Sequence, residues 1–208
     1  MNSSRSGFLG LRMALLLLLM TALVATLTLF AAQQKADSVK SEAKSEAKAE
    51  TDDKKIAPYY PTPNTIVEKM LELAGVKAGE KVYDLGSGDG RIVIMAARKF
   101  HADAVGIELD KDLFRQSSEA IRKLGLQKTA RIVNGDLLQQ DYSSADLIAV
   151  YLLPVSMDKV QPLLDAQLKK GARVVAHDFE FHNWTPEKVV NIADDGEGRS
   201  HTLFLYRK

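Results

Sequence analysis

Cysteine is absent from the 208 residues, which excludes disulfides, thiolate metal sites and a cysteine nucleophile and leaves the redox compartment unreadable. Histidine numbers four, scattered with no pair at helical spacing, so no zinc or other metal site is expected. An excess of charge of either sign is also missing, with 28 Lys+Arg against 27 Asp+Glu. Residues 1–55 carry 8 basic and 6 acidic side chains, which leaves 20 and 21 for the rest, a net of −1. So neutral a surface lacks the basic face that neutralises phosphates, and nucleic acid is not expected as a partner. What remains is an ordinary globular composition, 46% hydrophobic and 26% charged, sized for one domain.

One long apolar run stands out. Met13 to Ala32 contains no charged residue, and at about 1.5 Å per residue a helix of that length matches the roughly 30 Å hydrocarbon core of a bilayer. Arg5 and Arg12 precede it as in a signal peptide. The run is longer than a usual signal core, however, and Phe30 and Leu29 occupy the −3 positions for cleavage after Ala32 and Ala31. An uncleaved anchor is favoured, with a cleaved signal as the alternative. Beyond it, Lys40, Lys44 and Lys48 alternate with Glu42, Glu46 and Glu50. In a helix this spacing stacks like charges at i,i+4, so a solvated, extended tether is expected. Two basic residues before the span and four soon after place the following domain on the cytoplasmic side, whereas a short basic leader before an apolar core suggests export. The expected organisation is a tail (1–12), a membrane span (13–32), a charged tether (33–57) and a monomeric domain (58–208).

From Pro58 the pattern becomes regular. Thr62 and Pro63 read as N-cap and first residue of a helix whose apolar stripe, Ile66, Val67, Met70, Leu71 and Ala74, stops at Gly75. Strands follow at 81–86, 103–109, 130–135, 146–153 and 172–179, alternating with helices over about 91–99, 112–124 (stopped by Gly125) and within 156–169 (stopped by Gly171). Pro162 should make that last helix start late or kink. Strands apolar through consecutive residues, each followed by an amphipathic helix, predict a Rossmann-like α/β fold with a parallel sheet covered on both faces. Segments 188–193 and 201–207, joined across Asp194-Asp195-Gly196-Glu197-Gly198, predict a C-terminal antiparallel hairpin.

After the first strand stands Asp84-Leu85-Gly86-Ser87-Gly88-Asp89-Gly90, where an open α/β sheet binds its ligand. The Gly-x-Gly-x-Gly spacing is not a dinucleotide fingerprint, whose third glycine comes one position later, and a P-loop's Gly-Lys-Ser/Thr is missing. Two carboxylates bracketing the loop would repel a pyrophosphate. A cationic nucleoside suits them. Glu108, ending the second strand, could accept both ribose hydroxyls, and Asp136, after the third, could accept from an adenine amino group. The bland alternatives are a tight turn, a Glu108–Lys111 pair and an Asp136 turn cap.

These residues resemble the class I S-adenosylmethionine-dependent methyltransferases, with a seven-stranded sheet, across the whole of 58–208. The resemblance implies S-adenosyl-L-methionine as cofactor. Gly86, Ser87, Gly88 and Gly90 would lie under its methionine moiety, Asp84 and Asp89 would face its ammonium and sulfonium side, Glu108 would hold the ribose and Asp136 the adenine. Pro58-Tyr59-Tyr60-Pro61-Thr62-Pro63, the 82–93 segment, Tyr151-Leu152-Leu153-Pro154 and His177-Asp178-Phe179 are similar to the lysine methyltransferases of ATP synthase c subunit and adenine nucleotide translocase and their bacterial relatives. Tyr59 and Thr62 then stand in a Tyr-x-x-Thr segment that covers the cofactor. A protein substrate, membrane-associated through the span, is implied.

Methyl transfer from a sulfonium needs alignment and exclusion of water more than strong acids or bases. At the end of the fourth strand, Tyr151-Leu152-Leu153-Pro154 replaces the Asn/Asp-Pro-Pro-Tyr tetrad of nucleobase- and glutamine-methylating enzymes, which disfavours those acceptors. Tyr151, His177 and Asp178 are the polar groups available to a lysine amine, although Tyr151 equally suits a core aromatic and His177-Asp178 a strand-terminal turn. Trp184, the sole tryptophan, reads as loop packing, with cover of the acceptor channel as the alternative. A small-molecule methyltransferase and an inactive cofactor-binding scaffold are the competing functions. An undamaged glycine loop speaks against the scaffold, and connections too short to form a lid speak against a small acceptor.

Overall fold

The computed structural model describes residues 60–208, together with Gln34 and Lys35. The span expected at 13–32, most of the tether and Tyr59 lie outside the described residues. Among the described residues, no helix is long and apolar enough to cross a membrane.

The elements run α1 (Asn64–Leu73), β1 (Lys81–Leu85), α2 (Arg91–Lys99), β2 (Asp103–Glu108), α3 (Lys111–Lys123), β3 (Ala130–Asn134), β4 (Leu147–Val150), α4 (Pro154–Gln167), β5 (Arg173–His177), β6 (Lys188–Ile192) and β7 (His201–Arg207), with a 3₁₀ turn at Leu137–Gln139 after β3. Seven strands form one sheet in the order β3-β2-β1-β4-β5-β7-β6. The first five are parallel, and β7 inserts antiparallel between β5 and β6. β4 and β5 are buried at every residue, as a sheet covered on both faces requires. The edge strand β6 is mostly exposed and begins with Lys188, a charge that discourages edge-to-edge pairing. On one face Ile66, Val67 and Met70 of α1, Val93 and Ala96 of α2 and Ile121 of α3 pack on the sheet. On the other, Met157, Val160 and Leu164 of α4 close over β4 and β5, with Phe181 and Tyr206 beside them.

Two of the three predicted glycine stops, Gly75 and Gly125, are Schellman ends, whereas α4 ends at Gln167, capped by Leu168, and Gly171 N–H donates to Lys208 C=O. Val76 N–H donates to Leu71 C=O and Gly75 N–H to Glu72 C=O, and Leu126 and Gly125 repeat the pattern on Ile121 and Arg122. Two local expectations are corrected. Pro63, not Thr62, is the N-cap of α1, and no side chain caps that helix. The Thr62 hydroxyl has turned instead to His177. Helix α4 does not start late: it begins with Pro154 in its first turn and carries Pro162 in its interior. Pro162 and Asp158, whose carbonyl loses its usual donor there, are both exposed, so water can replace the missing N–H.

Candidate functional site

The order of strands reverses between β2-β1 and β4, and a cavity opens at their carboxyl ends, where such sheets bind ligands. Its walls come from the 60–62 segment, the loop after β1, the end of β2, Gly135 to Leu137 and Tyr151-Leu152, and about 890 Å³ of space lies within it, part of it open to solvent. Thr62, Asp84, Gly86, Ser87, Gly88, Asp89, Glu108, Asp136 and Tyr151 all line it; Gly90 sits directly beneath as the N-cap of α2. The sequence had thus singled out most of the wall.

Close approach explains the glycine pattern. Gly90 holds φ +80, and a Cβ there would come 3.0 Å from Ser117 Cβ. Gly106, in β2 beneath the loop, has no room for a Cβ, which would meet Ser87 Oγ at 2.5 Å and Ile132 Cδ1 at 2.7 Å. Glu108 clamps the loop from the next strand. Its Oε2 accepts from Gly88 N–H at 2.7 Å and its Oε1 from Asp110 N–H at 2.8 Å, and each oxygen keeps a second lone pair for a ligand hydroxyl. Asp136 does cap a turn, accepting from Leu138 N–H at 2.8 Å, while also facing the cavity.

The electrostatics favour a cation. Asp84 is buried, and its Oδ2 finds no hydrogen-bond partner among the described residues, nor does Ser87 Oγ. Burial, with Glu108 and Asp89 as like charges, pushes the Asp84 carboxyl up to about 8. A positive ligand group would relieve both the desolvation and the repulsion. Asp89 is committed differently from expectation: the Arg91 guanidinium grips it, with Nη2 at 2.6 Å and Nε at 2.9 Å from its oxygens. The same Arg91 donates to Thr62 C=O at 2.7 Å, tying the 60–62 segment over the cavity to the glycine loop. Sequence reading missed Arg91 because its partners lie on two separate segments.

Of the residues expected to meet an acceptor, Tyr151 follows β4 and lines the cavity, while His177 and Asp178 stand behind it. The Tyr151 ring lies 4.1 Å from the His177 ring and stacks on Phe179 at 6.2 Å, centroid to centroid. Burial raises the Tyr151 phenol above its ordinary value, and the Asp178 carboxylate adds to it. His177 is 1% exposed. Its Nδ1 meets Thr62 Oγ1 at 3.1 Å and its Nε2 meets His201 Nδ1 at 2.9 Å; burial pushes its imidazole down to about 4. Asp178 adopts φ +59 and accepts Thr202 N–H on Oδ1 at 2.8 Å. His201 and Asp195, which sequence spacing left unmarked, complete this cluster. Trp184 packs between Phe181 and Tyr206 and donates to Asp165 at 3.1 Å, so it is loop packing and not part of the cavity wall.

Comparison with known proteins agrees with this geometry. The ANTKMT methyltransferase domain matches residues 84–188. A protein-lysine N-methyltransferase of Saccharolobus islandicus is 41% identical over 150 residues, 72% of this chain and 92% of that protein. The lysine N-methyltransferase of the ATP synthase c subunit from Xenopus laevis is 34% identical over 145 residues, 70% of this chain and 61% of its own length, so this chain matches about six-tenths of that relative. A solved structure of an RNA methyltransferase from Salinibacter ruber in complex with S-adenosyl-L-homocysteine is 40% identical, with a TM-score of 0.67 over 71% of this chain and 93% of that one. The chain belongs to the ANTKMT methyltransferase domain family and is an S-adenosylmethionine-dependent methyltransferase.

Proposed function

We propose that the methyl acceptor is the side-chain amine of a protein lysine, and that Tyr151 aligns it. The cofactor supplies an electrophilic methyl group on a sulfonium. This chain's residues fit that group: Asp84, with its unpartnered buried oxygen, and Ser87 would meet the amino-acid end, Glu108 the ribose and Asp136 the adenine, while Ile107, Leu113 and Leu137 supply apolar wall. The segment led by Tyr59, with Thr62 held by Arg91, would cover the cofactor.

The observation that carries the acceptor reading is Tyr151 at the cavity wall with its phenol raised. A phenol that stays protonated at neutral pH does not act as a base. It can accept an N–H from a neutral amine, leaving the nitrogen lone pair directed at the methyl group. Partial desolvation at the cavity mouth favours the uncharged amine. His177 and Asp178 then act through Tyr151, fixing its ring from behind rather than touching the acceptor. The names of the archaeal and animal relatives support lysine, and the domain's net charge of −1 speaks against RNA. The Salinibacter ruber protein's description as an RNA methyltransferase supports the competing acceptor.

We further propose that residues 13–32 hold a monomeric enzyme on a membrane and that 33–57 form its tether, with the domain on the cytoplasmic side, where the cofactor is made. The test of the acceptor uses full-length protein, methyl-labelled cofactor and membranes from cells lacking the enzyme. Label should be released by protease and not by ribonuclease. Tyr151→Phe should lower turnover by about tenfold, the worth of one hydrogen bond, with cofactor affinity unchanged. Label released by ribonuclease would assign RNA as acceptor instead.

A further inference from the structure

Two of the four histidines, far apart in sequence, meet where β5 ends and β7 begins. His177 Nε2, His201 Nδ1 and Asp178 Oδ2 form a triangle with sides of 2.9, 3.2 and 3.2 Å. Ligand atoms about 2.1 Å from one metal ion lie about 3.0 Å apart at right angles and about 3.4 Å apart in a tetrahedron. The three observed separations fall between or beside those values.

With both histidines neutral, protons satisfy the triangle poorly. His201 Nε2 faces Asp195 Oδ2 at 3.2 Å, and His177 Nδ1 faces the Thr62 hydroxyl at 3.1 Å. With His201 donating to Asp195 and Thr62 donating to His177, the His201 Nδ1 lone pair points at an oxygen lone pair of Asp178. One remaining proton, on His177 Nε2, can satisfy one of those two acceptors. A divalent cation accepts all three lone pairs at once.

The surroundings have the form of an outer metal shell, in which each ligand's second atom is held by a partner that fixes its orientation. His201 is backed by the Asp195 carboxylate, itself held by Glu197 N–H at 2.8 Å and by the Arg199 guanidinium at 3.0 Å. His177 is backed by Thr62. Asp178 Oδ1 is fixed by Thr202 N–H. Both histidines are buried, whereas the Asp178 side chain retains 26% of its exposure, which leaves an approach for an ion.

We propose that His177, Asp178 and His201 bind a divalent first-row transition metal, with Asp195 and Thr62 as its outer shell. Two imidazoles and one carboxylate suit zinc and its neighbours rather than calcium or magnesium. The ion would staple β5 to β7 and set the His177 ring that lies 4.1 Å from the Tyr151 ring. It has no part in the methyl-transfer step, and the proposal stands whatever the acceptor proves to be.

The test is equilibrium binding of Zn²⁺ alone to the full-length protein, with bound metal measured after removal of free ion, and Co²⁺ as a spectroscopic probe. One tightly held equivalent and visible d–d absorption from nitrogen–oxygen ligation are expected. Asp195→Asn, which keeps the side chain's shape, should weaken Zn²⁺ about ten- to a hundred-fold. His201→Ala should abolish the Co²⁺ bands. Should His201→Ala not fold, the wild-type titration and Asp195→Asn decide alone. Wild-type protein that binds cofactor yet retains no zinc and leaves Co²⁺ with its aqueous spectrum would overturn the proposal and leave a proton-sharing histidine pair in its place. Binding unaffected by Asp195→Asn would equally overturn it, by placing the ion elsewhere.

Discussion

At Asp84 a carboxyl group sits under conditions that oppose its charge: burial first, then Glu108 and Asp89, with one oxygen left unpartnered. Its pKa is raised in the folded, ligand-free protein, so between the ordinary carboxylate range and about 8 the folded state holds a proton that the unfolded state has lost. Ligand-free stability should therefore fall as pH rises through that window. A cationic ligand needs the carboxylate, so cofactor binding near pH 7 should expel about one proton. Calorimetry in two buffers of different ionisation enthalpy reads this directly, and equal apparent enthalpies in both would contradict it. Asp84→Asn should stabilise the ligand-free protein at pH 8 while weakening cofactor binding by tenfold or more, because a charge-assisted contact is lost. The placement of Asp84, Glu108 and Asp136 at strand ends was legible in the sequence, since a strand end is a local property. Arg91 was not legible, because its value comes from reaching Asp89 and Thr62 together. His201 and Asp195 were hidden for the same reason: only the insertion of β7 beside β5 brings them to His177.

Among the elements, β2 and the loop after β1 are coupled through a gap too narrow for a methyl group. Gly106→Ala should push Ser87 and Ile132 aside, costing about 1–3 kcal/mol of stability as overpacking does. It should also loosen cofactor binding, because Ser87 belongs to the cavity wall. Denaturant unfolding measures the first effect and cofactor titration the second; unchanged values in both would contradict the packing argument. Element type and order followed from periodicity, and helix ends from Gly75 and Gly125. The start of α1 was misread because Thr62 has the chemistry of an N-cap but finds a better partner in His177. The start of α4 at Pro154 was missed because Pro162 was given too much weight: its lost hydrogen bond faces water, where it is cheaply replaced.

For the whole molecule, the proposed tether and membrane span would set how enzyme and acceptor meet. A random coil of some 25 residues would reach about 25–30 Å, and confining enzyme and acceptor to one surface would raise their effective concentration, so that a weak acceptor site would suffice. Shortening residues 33–57 by half should reduce methylation of membrane-embedded protein and leave a soluble lysine peptide unaffected; equal loss on both substrates would contradict the tether's role. The central claim, that the acceptor is a protein lysine, is tested most directly by hydrolysing labelled membrane protein to amino acids and chromatographing the label. The account predicts that radioactivity co-elutes with methylated lysine and disappears when the Asp84→Asn protein replaces the wild type. Label eluting with methylated arginine, glutamine or nucleosides would contradict it.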